Sequence, residues 1–276
     1  MKNIYWLAAY PKSGSTWFRA FLESLSTGGN AVDINNLKVV SHTSSRVFFD
    51  RVLDIDSAYL TVDEITSARP RLFEIEAMQA HAPLFRKTHD AWITTLTGGP
   101  LFPPAVTLGA ILIVRDPRDV AVSLAHQMTN TVDYAIERLG NPSGMMDMAV
   151  QRVNHQLPQK LSSWSLHTES WLSAPIKLHL LKYEDMLGDP LASFGAAASF
   201  LGFDAAPEKI AQAVDAVRFD RLRSAEEKSS YLGRQPGMDR FFRRGVAGGW
   251  RDSLTPAQVA CIEADHGPMM RRLGYL

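Results

Sequence analysis

Ile4-Tyr5-Trp6-Leu7-Ala8-Ala9-Tyr10-Pro11-Lys12-Ser13-Gly14-Ser15-Thr16-Trp17 decides how this chain is read. Its first six residues have the apolar and aromatic content of a buried strand. Residues 15–25 follow with Phe18, Phe21, Leu22 and Leu25 on one helical face. The order is therefore strand, tight glycine-containing loop, helix start. The free N–H groups of a first helical turn, at the positive end of the helix dipole, make an anion site. Gly14 lets the backbone come close to an oxygen. Ser13, Ser15 and Thr16 add hydroxyl donors, and Lys12 adds a full charge at the mouth. The segment reads as a P-loop-like phosphate cradle. It is not a Walker A loop, whose lysine follows the last glycine, because Lys12 precedes Gly14. Taken alone, the segment also reads as a plain turn with Ser15 as a helix cap.

Further along the chain, residues 83–87, 110–114 and 176–181 also have strand composition. Helical patterns cover residues 15–25, 118–128, 148–171 (interrupted by Pro158), 191–201, 207–217 and 255–273. Pro207 and Pro256 suit a first helical turn, and Thr255 suits an N-cap. Strands alternating with helices predict an α/β fold, a central and mainly parallel sheet flanked by helices. Residues 27–45, 94–104, 130–144 and 224–249 read as loops or irregular chain. No composition shift marks a linker, so residues 1–276 read as one domain.

Composition narrows the function classes. The 276 residues carry 29 Lys and Arg against 29 Asp and Glu. Zero net charge gives no electrostatic case for a nucleic-acid partner. The single cysteine, Cys261, forms neither an internal disulfide nor a thiolate metal site, which points to a reducing cytoplasm. The apolar stretch 4–10 is short for a signal peptide, and the longest other run, 105–114, is about half of the ~20 residues a membrane helix needs. The expectation is a soluble cytoplasmic protein with no membrane partner.

Three further groups carry chemistry. The strand 110–114 runs into Arg115-Asp116-Pro117-Arg118-Asp119, a basic helix start, with Ser123 eight residues beyond Arg115. Open α/β sheets bind ligands at such strand ends; equally, these arginines and aspartates read as surface ion pairs. Lys87-Thr88-His89 ends another strand. A lone histidine is more often structural than catalytic, but a neutral imidazole at a strand end is poised to take a proton from a hydroxyl. Phe241-Phe242-Arg243-Arg244-Gly245-Val246-Ala247-Gly248-Gly249-Trp250 joins two guanidinium groups to a flexible backbone, as a loop folding over a phosphate needs. It also reads as a solvated basic loop.

In this order and spacing the segments resemble the soluble branch of the sulfotransferase family that uses 3′-phosphoadenosine 5′-phosphosulfate (PAPS). Residues 10–17 are similar to that family's 5′-phosphosulfate loop, and 115–123 to its 3′-phosphate motif. Residues 242–250 are similar to its closing loop, Lys87-Thr88-His89 to its K-[ST]-H element, and Tyr183-Glu184-Asp185-Met186 to a late Y-E-D element. The resemblance implies that Lys12, Ser13, Gly14, Ser15 and Thr16 hold the 5′-phosphate and the sulfuryl group. Trp17, Tyr183 and Phe219 would contact adenine, and Arg115, Ser123, Arg243, Arg244 and Gly245 the 3′-phosphate. His89 would be the catalytic base, assisted by Lys12 and Lys87. The sequence departs from the family at Gly249, where an aspartate is usual. Pro256 and Ala260 break the C-terminal dimer motif of animal members, so any homodimer would form by another route.

The implied reaction is in-line transfer of a sulfuryl group to a hydroxyl or amine of a small-molecule acceptor. It leaves adenosine 3′,5′-bisphosphate (PAP) and needs no metal. The stretches 30–80 and 130–172 are expected to shape the acceptor pocket, through residues such as Phe48, Phe49, Tyr59, Tyr134, Met145, Met146 and Trp164; most of these equally read as plain core. The competing expectations are a kinase-like phosphoryl transferase with an atypical phosphate loop and a nucleotide-binding module without catalysis. The first requires the metal-binding groups of P-loop enzymes.

Overall fold

A computed structural model describes residues 2–148, 154–234 and 237–276. Its five-stranded sheet has the order β2-β3-β1-β4-β7, from β1 (Ile4–Ala9), β2 (Val40–His42), β3 (Leu84–Thr88), β4 (Thr107–Val114) and β7 (Leu178–Lys182). β1 and β3 run parallel, in a register that pairs Ile4 with Leu84 and Ala8 with Thr88. The fold is α/β, a central parallel sheet flanked by helices. Central parallel strands are covered on both faces and so read as unbroken apolar runs. Ile111, Leu112 and Ile113 of β4 are all fully buried. Trp6 of β1 is fully buried as well. Its indole N–H finds the Thr107 hydroxyl at 2.9 Å, and its ring meets Phe73 and Phe102 at 5.0 and 4.9 Å.

The helices are α1 (Ser15–Ser26), α2 (Arg46–Leu53), α3 (Val62–Gln79), α4 (Pro117–Met128), α5 (Val132–Gly140), α6 (Trp164–Leu172), α7 (Tyr183–Gly188), α8 (Pro190–Phe200), α9 (Pro207–Ala216), α10 (Phe219–Ser229) and α11 (Pro256–Leu273). A two-residue pair, β5 (Met145–Met146) with β6 (Gln159–Lys160), lies outside the main sheet. The chain clusters into two compact units. One comprises Met1–Tyr10, His42–Leu112 and Asn141–His179; the other comprises Pro11–Ser41, Ile113–Gly140 and Leu180–Leu276. In the first, α2 packs on α3. In the second, α1 packs on α8 and α9, and α4, α5 and α11 pack together. Among the described residues no helix is long and apolar enough to cross a membrane.

The structure corrects several expectations. Among the described residues, the helix expected over 148–171 begins only at Trp164, where the Ser163 hydroxyl caps it by accepting the Leu166 N–H. Pro158 lacks an N–H and disfavours a helical residue before it; the chain there instead forms β6. Residues 149–153 of that expected helix lie outside the described residues. The expected loop 130–144 holds α5, whose Ala135, Ile136 and Leu139 form a short buried face. The expected loop 27–45 holds β2, and the irregular stretch 224–249 opens with the last turns of α10. Helices α2 and α3 were not expected at all. Thr255 does cap α11, in a capping box with Gln258.

Candidate functional site

The loop after β1 is shaped by two left-handed residues, Lys12 at φ 72° and Gly14 at φ 102°. Any side chain at Gly14 would bring its Cβ to 2.7 Å from the Tyr183 ring. Gly14 is also the N-cap of α1 and supplies no side-chain cap. No N-cap side chain therefore occupies the N–H groups of the first turn. The Ser13 hydroxyl is buried with no partner among the described residues.

Positive charge converges on this loop. The Lys12 ammonium lies 4.2 Å from the centroid of the Phe241 ring. Burial, then the charges of Arg115 and Arg243, pull its pKa from 10.5 down to about 7, with Glu226 opposing. Arg115 donates to the Lys12 carbonyl at 3.3 Å and to the Val246 carbonyl at 3.0 Å. Its guanidinium sits 4.1 Å over the Tyr183 ring, and its Nε is buried without a partner among the described residues. Burial and the neighbouring Arg244 and Arg115 lower the pKa of Arg243 as well. Arg244 is exposed. Gly245, at φ 64°, runs so close to Phe219 that a Cβ would lie 2.3 Å from the ring.

Trp17 donates its indole N–H to the Val217 carbonyl at 2.9 Å and meets the Tyr183 ring edge-on at 5.9 Å. Ser123 lies half-buried on α4. Arg118 does form the ion pairs of the alternative reading, with Asp116 at 2.8 Å and Glu263 at 2.7 Å, but Arg118 and Asp116 are buried and not on the surface. Asp119 is 4.0 Å from Arg115 and accepts the backbone N–H groups of Gly248 and Trp250. Every residue expected to hold the nucleotide falls in the second compact unit.

Sequence reasoning missed two supports of this unit. Glu226, only 4% exposed, accepts the N–H groups of Phe241 and Phe242 at 2.6 and 2.9 Å and so ties the basic loop to α10. Tyr231 packs on Phe241 at 4.8 Å and hydrogen-bonds Thr16. Neither stands at a spacing that one strand or helix would reveal.

Lys87 and His89 belong to the first unit. Lys87 is buried on β3, and His89 follows the strand. The His89 N–H donates to Gln159 Oε1 at 3.1 Å, and Nδ1 lies 2.6 Å from the Ala9 carbonyl. A carbonyl only accepts, so Nδ1 carries the proton and Nε2 the basic lone pair. Gln159 in turn donates to Asp147 at 3.0 Å. Burial raises the Asp147 pKa, against Gln159 and the charge of Lys87. Of the residues expected to line an acceptor pocket, Phe49 and Trp164 are fully buried core, while Tyr59 is 85% exposed.

The fold and this loop define the class: an α/β protein with a parallel sheet and a P-loop-like strand–loop–helix after β1. Within that class the profile of the Sulfotransferase domain matches residues 3–274, and the chain belongs to the sulfotransferase family. Among similar proteins, Cytosolic sulfotransferase 17 of Arabidopsis thaliana is 23% identical over 99% of this chain and 76% of its own length. Amine sulfotransferase of Oryctolagus cuniculus is 24% identical over 90% of this chain and 74% of its own. Among solved structures, retinol dehydratase in complex with androsterone and inactive cofactor PAP superposes with a TM-score of 0.61. It is 18% identical, over 97% of this chain and 80% of that one, and it shares the fold.

Proposed function

We propose that this protein transfers a sulfuryl group from PAPS to a hydroxyl or amine of a small-molecule acceptor, with His89 as general base. The observation that carries this reading is the concentration of cationic groups at an uncapped helix start. Lys12 is driven to a pKa of about 7 by burial and by Arg115 and Arg243. The arrangement is penalised until a polyanion is bound. The donor set fits a nucleotide with phosphates at two places. Lys12, the orphan Ser13 hydroxyl and the first N–H groups of α1 suit the 5′ end. Arg115, Ser123, Arg243 and Arg244 suit a 3′-phosphate, with the Gly245 backbone accommodated against Phe219. Trp17, Tyr183 and Phe219 supply aromatic surface for a purine.

The donor supplies a sulfuryl group attached to a good phosphate leaving group. His89 Nε2 takes the acceptor proton, its tautomer set by the Ala9 carbonyl. Lys12 faces the charge that builds on the leaving oxygen, where a fixed cation is worth most. Lys87 adds positive charge toward the sulfuryl oxygens.

Purified protein with PAPS and an acceptor library, read by mass spectrometry, should yield an acceptor that gains one sulfuryl group. His89→Ala should lower kcat by about 10²–10⁴-fold while PAP affinity is retained. Near-normal turnover in that variant removes His89 from the base role. Absence of PAP uptake by calorimetry, where ATP does bind, overturns the nucleotide assignment itself.

A further inference from the structure

The end of β3 is held by a polar cluster centred on Asp90, a residue that none of the motifs above contains. Asp90 follows His89 and is fully buried, as is Arg69 of α3. Arg69 Nη2 reaches Asp90 Oδ2 at 2.6 Å and the Thr43 hydroxyl at 3.2 Å. The other guanidinium nitrogens of Arg69 are buried without partners among the described residues. Asp90 Oδ2 also accepts the Thr88 hydroxyl at 3.0 Å, and Thr88 Oγ1 accepts the Asp90 N–H at 3.0 Å. Oδ1 accepts the Lys160 N–H at 2.8 Å. The Asp90 carbonyl accepts the Trp171 indole N–H at 2.9 Å. One residue thus ties β3, α3, β6 and α6 together immediately beside His89.

A buried ion pair returns little net stability once desolvation is counted, and its best-attested use is to select one geometry. Here both neighbours of the His89 backbone, Thr88 and Asp90, are locked to each other through two reciprocal hydrogen bonds. The His89 N–H is held separately by Gln159. With its backbone fixed on both sides, the imidazole keeps Nδ1 on the Ala9 carbonyl at 2.6 Å, which leaves Nε2 as the nitrogen without a proton. We propose that Asp90, clamped by Arg69 and bridged to Thr88, is a positioning residue that fixes the direction and tautomer of His89. This rests on the sulfuryl-transfer reading, and the tests separate the two.

Thr88→Val removes the hydroxyl bridge and leaves the ion pair intact, whereas Thr88→Ser keeps the hydroxyl. Thr88→Val should lower kcat about 10- to 100-fold, the scale of a misplacement near 1 Å. KM for the donor and PAP affinity by calorimetry should stay unchanged, and Thr88→Ser should recover most of kcat. In ¹⁵N NMR of the nucleotide-free protein, His89 should populate the Nδ1-protonated tautomer alone, and Thr88→Val should show a mixture. Asp90→Asn, which leaves Arg69 unpaired, should show the same mixture if it folds; if it does not, the Thr88 pair decides. Wild-type kcat and an unmixed tautomer in Thr88→Val, with PAP still bound, overturn the positioning role alone. Failure of the wild-type protein to bind PAP overturns that role together with the sulfuryl-transfer reading.

Discussion

The proton on Lys12 is set by what surrounds the side chain. Its ammonium is enclosed beside two guanidinium groups, and its pKa falls to about 7. An anionic nucleotide favours the charged form, so binding should restore the proton. Calorimetry with PAP in buffers of different ionisation enthalpy should report uptake approaching one proton at pH 8 and close to none at pH 6. Affinity should weaken as pH rises above 7. Lys12→Ala should abolish the uptake and lower kcat more than donor affinity; a loss in affinity alone would make Lys12 a binding group only. The loop holding Lys12, Ser13 and Gly14 was legible in the sequence because it rests on a local pattern, a strand followed by a helix start. Its electrostatics was not, because Arg115 and Arg243 are far from Lys12 in the chain.

At the scale of elements, the basic loop after α10 depends on Glu226. A carboxylate accepts two N–H groups at once, and Glu226 accepts those of Phe241 and Phe242. Glu226→Gln turns one acceptor into a donor facing an N–H, a cost of about 1–3 kcal/mol. The expected outcome is faster hydrogen exchange at residues 241–245 and roughly tenfold weaker PAP binding. Unchanged exchange there would show that the loop is held by other contacts. Helices α1, α8, α9 and α11 were readable because an apolar stripe or a proline at the first turn marks each one. α3 was not. Its buried face mixes Ile65, Leu72 and Phe73 with Thr66, Arg69 and Glu76, and Pro70 lies in its interior. Two of those polar residues meet partners from other elements, Arg69 through Nη2 to Asp90 and Glu76 to Arg86, while Thr66 bonds back to the Val62 carbonyl. No periodicity within α3 announces this.

Over the whole molecule, acid should be the weak side of the stability profile. Burial lowers the pKa of both His167 and His266 to about 4 from 6.5. The folded protein keeps both neutral, while the unfolded chain protonates them below about 6.5. Unfolding is therefore favoured increasingly as pH falls from 6.5 to 4, by at most about 3 kcal/mol per residue. Thermal melts should show Tm falling across that window, and His266→Gln should make the fall shallower. A flat Tm from pH 6.5 to 4 would contradict the buried neutral state. The sequence alone determined the α/β class and the strand–loop–helix order around Lys12 and Gly14, because strand–loop–helix grammar and helix-start chemistry act over a few residues. Only the tertiary structure decided which buried polar groups have partners, where Lys12 titrates and what holds His89. Those properties depend on desolvation and on groups brought within a few ångströms from distant parts of the chain.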